Sequence, residues 1–354
     1  MHLKTEEICK LAIANEASDV HLQMGQVPKM RVHGALMDVG SFGVVDDPEL
    51  ILSLLSEKQK ERFEVEKEMD LSVTLEEYRF RVNVFHQKGK LACALRVIAD
   101  QIPELSSLGL PEVVKSFTKL RQGFILITGP TGQGKSTTVA SVLNEINKEQ
   151  SVNIVTIEDP IEYIIRPLKS LVAQRELGED TLSFDKALKS SLRQDPNVVF
   201  VGEMRDLETI QLALTVAETG HLVFSTLHTN SAAQSIDRII DVFPEGSKAQ
   251  IRMQLASVLS AVVSQRLIPT IDGQRAAAAE ILVANSALAN TIREGKTFMI
   301  DNIIQTGVDQ GMVGLEMSLA RLVKSGKVEE RVASSFALKP EEFLNNLRLL
   351  KRNA

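Results

Sequence analysis

The stretch Gly129-Pro-Thr-Gly-Gln-Gly-Lys-Ser136 follows the apolar, β-branched run Phe124-Ile-Leu-Ile-Thr128. Apolar residues then recur at helical spacing over residues 137–147. This order predicts a buried strand, a glycine-rich loop and a helix, the context in which G-x-x-x-x-G-K-[ST] holds phosphate. Glycines let backbone N–H groups surround an anion, and the helix N-terminus adds positive potential. The alternative, a chance glycine turn, does not account for an eight-residue match in this context.

The loop therefore predicts a nucleoside triphosphate site. Within it, Lys135 is expected to reach the β- and γ-phosphates, and the Ser136 hydroxyl is expected to bind Mg²⁺. The predicted nucleotide-binding residues are Gly129, Pro130, Thr131, Gly132, Gln133, Gly134, Lys135, Ser136 and Thr137.

Composition narrows the function further. The chain has 354 residues, a net charge of −6, two tyrosines and no tryptophan, which argues against a nucleic-acid-binding surface with stacking aromatics. Cys9 and Cys93 lie far apart and have no metal-ligand spacing, as expected in a reducing cytoplasm. No signal segment and no apolar run of membrane-spanning length is evident, so we expect no direct membrane insertion.

The chain is long enough for two domains. We predict an N-terminal α+β domain at residues 1–99, a proline-containing linker at 100–111 and a second domain at 112–354. In the strand predicted at 78–86, Phe80, Val82 and Val84 face one way and Arg81 faces the other. Arg96 shares a face with alanines in the next strand. Both arginines are therefore open to a partner or to water.

The second domain alternates strands with helices, which predicts a mainly parallel sheet covered by helices. The predicted strands are 124–128, 153–157, 198–201, 222–226 and 276–283. A single helix is predicted from Ser247 to Leu267, because Leu255, Val258 and Val262 fall on one stripe. Shorter helices are predicted at 288–293, 299–306 and 315–325, and residues 340–354 are expected to fray.

Polar residues follow the predicted strands at their carboxyl ends, where parallel sheets bind ligands. Glu158, Asp159 and Glu162 follow the second strand, where carboxylates hold Mg²⁺ or orient water. A turn with a capping acid is the alternative for Asp159. Glu158 joins Ser136 as a predicted Mg²⁺ ligand, and Glu158 and Glu162 are predicted to assist catalysis.

The third strand runs into Gly202-Glu203, so a glycine stands where a Mg²⁺-binding acid is usual. Glu203 is the predicted catalytic base or water-orienting group; the alternative is a carboxylate at a helix start. His228 follows the fourth strand and is predicted to sense the γ-phosphate. His221 begins that strand and lies at its opposite end, where a structural role is as reasonable.

Three further stretches resemble one family. Thr156-Ile-Glu-Asp-Pro-Ile-Glu-Tyr163 resembles the Asp box of bacterial type II secretion and type IV pilus ATPases. The run from Leu192 to Thr209 resembles their atypical Walker B segment, glycine included, and the run from Glu218 to Asn230 resembles their His box. Ala17-Ser-Asp-Val-His-Leu22 and Tyr78-Arg-Phe-Arg-Val-Asn83 are similar to their N-terminal domain.

The resemblance implies a hexameric, ATP- and Mg²⁺-dependent motor with a PAS-like N-terminal domain and a RecA-like C-terminal domain with added helices. It implies nucleotide between the domains near a neighbouring subunit, with a catalytic contribution from Arg81 and Arg96. Arg193, Arg205 and Arg238 are expected to form interface ion pairs. The implied partners are an inner-membrane platform protein and a sister pilus ATPase. The implied location is cytoplasmic, at the inner face of the membrane.

Within the family the chain looks most like the pilus retraction branch, because it lacks the longer N-terminus and tetracysteine site of the assembly branch. It departs from that branch at Ala287-Leu-Ala-Asn-Thr-Ile-Arg-Glu294, where Ala-Ile-Arg-Asn-Leu-Ile-Arg-Glu is usual, and at Gln133, where serine is usual. An assembly or secretion motor of the same family, a non-motor regulator and a RecA-like nucleic-acid motor are the alternatives.

Overall fold

The computed structural model describes residues 1–75, 78–98 and 101–352. The chain divides into two compact units. The first comprises Met1–Gln101 with Glu162–Ile164, and the second comprises Ile102–Ile161 with Ile165–Ala354. Ala99 and Asp100, where we predict the first domain to end and the linker to begin, lie outside the described residues.

The N-terminal unit combines helices with one antiparallel sheet. Its helices are α1 (Leu3–Ala14), α2 (Glu49–Leu52) and α3 (Glu57–Glu66), with a 3₁₀ turn at Gly40–Phe42. Its strands are β1 (Asp19–Gln23), β2 (Lys29–Val32), β3 (Ala35–Asp38), β4 (Glu68–Leu75), β5 (Tyr78–Gln87) and β6 (Lys90–Ile98). The strand order is β3-β2-β1-β6-β5-β4.

One face of this sheet carries the core of the unit. Phe80, Val82 and Val84 of β5 are fully buried, which confirms the predicted alternation along this strand. Ile8 and Ala12 of α1 belong to the same buried cluster. The polar residues of β5 therefore lie on the other face.

The second unit is built around a larger sheet. Its strands are β7 (Gly123–Thr128), β8 (Asn153–Glu158), β9 (Leu171–Glu176), β10 (Val198–Val201), β11 (Leu222–Leu227), β12 (Leu259–Pro269) and β13 (Arg275–Val283). Its helices are α4 (Val113–Ser116), α5 (Lys135–Glu149), α6 (Phe184–Ser191), α7 (Leu207–Glu218), α8 (Ala232–Asp241), α9 (Glu245–Val258), α10 (Ser286–Glu294), α11 (Ile300–Thr306), α12 (Leu315–Lys324), α13 (Glu330–Phe336) and α14 (Pro340–Arg352). Single 3₁₀ turns occupy Leu105–Leu108, Phe117–Lys119, Thr297–Met299 and Val308–Gln310.

The strand order of this sheet is β13-β12-β7-β11-β10-β8-β9. Neighbours are parallel except β12 and β13, which are antiparallel. Every residue of β7 is buried, as expected for a central strand with helices on both faces. The carboxyl ends of β7, β11, β10 and β8 therefore lie along one edge of the sheet. The mixed α/β fold class is as predicted.

The single helix predicted from Ser247 to Leu267 is wrong in its second half. Helix α9 ends at Val258, and β12 begins at Leu259. Most of β12 is buried because it lies between β7 and β13. A strand buried on both faces carries a continuous apolar run instead of an alternating one, so its pattern also fits a helix.

Two more elements differ from prediction. Residues 340–352 form α14 and do not fray, because Phe343 and Leu347 are buried in a cluster with Leu315 and Leu319. Strand β9 was not predicted; its residues are mostly polar or half-exposed because it is the outermost strand of the sheet.

Candidate functional site

The loop at 129–136 has the backbone that its glycines allow. Gly129, Gly132 and Gly134 have φ angles of 144°, 75° and 79°, a region that favours glycine. A Cβ atom on Gly129 would lie 2.4 Å from the carbonyl oxygen of Gln265. Helix α5 begins at Lys135, so its first N–H groups face the loop. This arrangement is a cradle for phosphate oxygens.

Lys135 lies inside this loop. The residue is 8% exposed, and its Nζ donates to the carbonyl oxygens of Gly129 at 2.8 Å and Pro130 at 3.0 Å. These contacts hold the ammonium group at the loop. Ser136 follows in the first turn of α5 and is half-buried. Its hydroxyl oxygen is the kind of ligand that Mg²⁺ accepts beside nucleotide phosphates.

Strand register brings the predicted sensor beside the loop. Thr128 at the end of β7 pairs with Leu227 at the end of β11, and the N–H of Gly129 donates to the Leu227 carbonyl. His228, the residue after Leu227, therefore lies beside the first residue of the loop. On the other side of β11, Val201 pairs with Ser225, which places Glu203 level with Leu227.

His228 joins the loop to Glu203. Its Nδ1 lies 3.3 Å from the Thr131 hydroxyl, and its Nε2 lies 3.5 Å from Oε1 of Glu203. With a proton on Nε2, the imidazole donates to the Glu203 carboxylate and accepts from Thr131. A change at the loop can thus be passed through the ring to the carboxylate.

Glu203 is a paired carboxylate. Arg205 Nη2 lies 2.9 Å from its Oε2, and Arg205 Nη1 lies 3.9 Å from Asp159. Partial burial alone raises the pKa of Glu203, but the hydrogen bond and charge of Arg205, together with His228, hold that pKa below its usual value. The carboxylate is consequently ionised at neutral pH and able to accept a proton or a hydrogen bond from water.

Glu158 is 8% exposed and belongs to a polar group between β8 and β9. Its Oε1 accepts from the Thr156 hydroxyl at 2.6 Å and from the Gln174 amide at 3.2 Å. Strand β8 is three places from β7, about 14 Å at the usual strand spacing. That Glu158 shares a Mg²⁺ ion with Ser136 stays a prediction. The hydrogen bond from Gln174 ties the Glu158 carboxylate to β9, the outermost strand.

The fold gives a steric explanation for glycine at residue 202. Val201 pairs with Ile157, so Gly202 lies opposite Glu158. A Cβ atom at Gly202 would lie 3.2 Å from the Glu158 Cα and 3.2 Å from the Ile157 carbonyl oxygen. The position therefore favours a residue without a side chain, and no acid occupies it.

The turn after β8 is held by β9. Glu176 accepts a hydrogen bond from the N–H of Ile161 at 3.0 Å, and the Asp159–Pro160 peptide is cis. Glu162 lies in the short segment that belongs to the N-terminal unit. Its catalytic role stays a prediction.

Arg81 and Arg96 meet on the exposed face of the N-terminal sheet. They are direct cross-strand partners on β5 and β6. Arg96 Nε donates to Asp19 Oδ1 at 2.9 Å, and Arg31 Nε lies 4.0 Å from the same carboxylate. Burial raises the pKa of Asp19, but Ser18 and Arg96 outweigh this effect and lower it. Two arginines opposite each other repel, so this pairing favours an anionic partner.

The residues of the loop fit a nucleotide better than they fit a metal ion alone. Within residues 1–75, 78–98 and 101–352, no three His, Cys, Asp or Glu side chains form a metal-binding group. The glycine cradle and Lys135 supply the donors and the charge that phosphate needs. Mg²⁺ commonly takes one or two protein ligands and completes its shell with phosphate and water, so Ser136 is compatible with it.

Some site residues were not predicted. Arg205 was expected in an interface, and the ion pairs described for it lie within the chain. Gln265 contacts the loop from β12, and its one signal in sequence is the polar stretch Ser264-Gln265-Arg266 between apolar residues. His221 lies before β11, where its Nδ1 contacts Val216 and Thr219, so it is at the predicted opposite end.

Among the described helices, none combines the length and the apolar character needed to cross a bilayer. The fold is a mixed α/β fold with a glycine-rich loop between the central strand β7 and helix α5. The family described as "Type II/IV secretion system protein" matches residues 2–326. The chain belongs to this family of secretion ATPases.

Named relatives are similar over most of the chain. The "Type IV pilus retractation ATPase PilT" of Pseudomonas aeruginosa is 44% identical over 341 residues, covering 95% of this chain and 99% of its own. A "Twitching motility protein" of Neisseria gonorrhoeae is 45% identical over 310 residues, covering 86% and 83%. A crystal structure of the pilus retraction motor PilT with bound ADP has a TM-score of 0.91 at 44% identity, covering 97% of this chain and 100% of its own.

Proposed function

We propose that this chain is an ATP-hydrolysing motor that works as a homohexamer and drives type IV pilus retraction. The observation that carries the proposal is His228, which contacts both the phosphate loop and the Glu203 carboxylate. Such a bridge can couple the presence of a γ-phosphate to the hydrolytic group. The names of the similar relatives support the retraction role.

Each residue has a defined role in this proposal. Lys135 and the loop N–H groups bind the β- and γ-phosphates, and Thr131 with His228 reports the γ-phosphate. Glu203, ionised and oriented by Arg205, positions the attacking water and accepts its proton. Glu158 and Glu162 assist. Mg²⁺, when bound through Ser136, neutralises phosphate charge.

Arg81 and Arg96 are proposed to act on the nucleotide of a neighbouring chain. They form a paired cationic group on an exposed sheet face, and Asp19 fixes one of them. Force would pass to a pilus platform protein at the inner face of the membrane, with a sister pilus ATPase as a second partner. These partners are proposals that the family supports.

The first experiment measures steady-state ATP turnover together with particle size. Lys135→Ala should abolish nucleotide binding and turnover, whereas Glu203→Gln should bind ATP and lose turnover by about 10²–10⁴-fold. Glu208→Gln, an exposed acid on α7, is the matched control and should turn over normally. Near-normal turnover by Glu203→Gln would contradict its role, and a monomer with the full rate would contradict the ring.

An assembly or secretion motor is the second candidate. The family description includes secretion systems, and the segment Ala287–Glu294 departs from the sequence that is usual in the retraction branch. Both observations support this second candidate. Pilus retraction in a deletion strain distinguishes the two, because loss of an assembly motor removes pili and loss of a retraction motor leaves pili that cannot shorten. DNA-stimulated, salt-sensitive turnover would instead favour a nucleic-acid motor.

A further inference from the structure

Strand β12 extends beyond the end of its neighbour β7. The last pair between them is Thr128 with Ser264, whereas β12 continues to Pro269 and stays paired with β13 on its other side. Beyond Ser264, the β7 side of β12 therefore faces the phosphate loop. Backbone groups of β12 in this region need partners that β7 cannot supply.

Gln133 of the loop supplies one of these partners. Its side-chain Oε1 accepts the N–H of Leu267 at 2.7 Å, and its own carbonyl oxygen accepts Nε2 of Gln265 at 2.6 Å. The side chain thereby continues the hydrogen bonding of β12 where β7 has ended. A serine at this position is two heavy atoms shorter and does not reach Leu267 in this geometry.

Gln265 connects the same strand to the helix after the loop. The residue is 2% exposed, and its Oε1 accepts the hydroxyl of Thr138 at 2.8 Å. Its backbone oxygen is the atom that a Cβ on Gly129 would meet, and its Nε2 lies 3.1 Å from a Cβ built on Gly134. Strand β12 thus lies against Gly129, Gln133 and Gly134 of the loop.

We propose that Gln133 and Gln265 are positioning residues that hold the phosphate loop in its binding shape and so set its affinity for nucleotide. A loop that is already ordered loses less conformational entropy when ligand binds, so its affinity is higher. The inference rests on the proposed function, because it takes the loop as the nucleotide site. It gives Gln133 a specific part in setting that affinity, through its hydrogen bond to Leu267 of β12.

The test measures binding of ADP and of a non-hydrolysable ATP analogue to the full-length chain by calorimetry. Gln133→Ser and Gln133→Met should each weaken binding about three- to ten-fold, the value of one hydrogen bond. In steady-state turnover the KM for ATP should rise by a similar factor, and any fall in kcat should be smaller than the loss of affinity, because the hydrolytic groups are untouched. Gln265→Met, which removes two bonds, should weaken binding about ten-fold or more.

Controls separate positioning from folding. Gln250→Met, on the exposed side of α9, should bind as the parent chain does. Because Gln265 is buried, the binding result for Gln265→Met counts only if its thermal unfolding midpoint is near that of the parent chain. If it is not, the binding results for the Gln133 variants decide the test. The double variant Gln133→Met with Gln265→Met should be weakened by less than the product of the two single effects, because both side chains hold the same part of the loop against β12.

Each outcome decides between the alternatives. Parent-like affinity of Gln133→Met would overturn the proposal, as would a loss of turnover with unchanged affinity or full additivity in the double variant. If the parent chain binds neither nucleotide, the proposed function itself fails. If the parent binds and Lys135→Ala does not, while the Gln133 variants bind normally, only the positioning proposal fails.

Discussion

The carboxyl group of Glu280 lies buried on β13, with 7% of the residue exposed. Its Oε1 accepts the N–H of Ala232 at 2.6 Å, at the start of helix α8, which follows the His228 segment. Burial raises its pKa to about 7, with Asp301 and Glu316 adding to the effect, whereas the Ala232 hydrogen bond and Lys339 oppose it. This acid is therefore protonated over much of the acidic range in the folded state.

The sign of the pH dependence follows from that shift. Between the usual pKa of a glutamate and about 7, the folded state binds more protons than the unfolded state, so stability falls as pH rises. We expect the difference in free energy of unfolding between the parent chain and Glu280→Gln to change with pH. From about pH 5 to about pH 8, the parent should lose up to about 3 kcal/mol relative to the variant. Urea unfolding of both chains at both pH values measures this loss.

Glu112→Gln removes an exposed acid and is the matched control, with no such change expected. An equal pH dependence in the parent and in Glu280→Gln would show that this carboxyl group does not titrate differently on folding.

At the residue scale, the sequence could predict several side chains of the candidate site, but only some of the contacts between them. Glu203 and His228 were predicted because the ends of adjacent parallel strands share an edge. The contacts of Arg205, Gln265 and Glu280 depend on register and on packing between distant segments, which no local pattern specifies. Burial of a single polar residue such as Glu280 leaves no periodic signal.

At the element scale, the close approach of β10 to β8 depends on Gly202. A Cβ atom there would lie 3.2 Å from backbone atoms of Ile157 and Glu158, which cannot rotate away. We expect Gly202→Ala to lower the free energy of unfolding by about 1–3 kcal/mol, the usual cost of overpacking. It should also lower ATP turnover, because Glu203 follows directly.

Gly246→Ala is the matched control for this change. Gly246 lies in helix α9 with no atom within 4 Å of its added Cβ, so alanine should be neutral or stabilising by up to about 1 kcal/mol. Denaturant unfolding compares the two variants. Equal stability of both would refute the steric explanation for glycine at 202.

Helix α14 illustrates a second element-scale effect. Phe343 is fully buried in the C-terminal cluster, whereas Phe298 is 78% exposed. Phe343→Ala should cost about 3–5 kcal/mol, while Phe298→Ala should cost little. Thermal and urea unfolding measure both. If the two variants lose stability equally, α14 does not pack as described.

Elements were predicted best where a short apolar run or a helical stripe was bounded by polar or turn residues, whereas β12 follows α9 without a turn. The apolar runs of β7, β10 and β11 and the helical stripe of α5 fixed those elements nearly to their ends. Strand β12 was predicted as a helix because burial on both faces removes the alternation, and β9 was missed because an edge strand carries polar residues. In both cases the deciding factor was the position in the sheet, which local sequence does not encode.

At the scale of the whole molecule, each of the two units has its own buried core. The two prolines within residues 99–111 and the change of pattern from Gly123 onward predict two domains, but they give no sign of the return of Glu162–Ile164 to the first unit. That return depends on tertiary contacts of a short segment.

The proposed action of these arginines on a neighbouring chain predicts complementation between two inactive variants. Chains with Lys135→Ala retain the two arginines, and chains with Arg81→Ala and Arg96→Ala retain the loop. When the two kinds of chain are mixed equally, roughly one interface in four combines an intact loop with intact arginines. Each variant alone should lose turnover, the arginine variant by as much as about 10³-fold. Turnover of the reassembled mixture should exceed the sum of the separate variants. Arg62→Ala, an exposed arginine of α3, should remain active alone. A mixture no more active than its parts would show that the arginines do not act across chains.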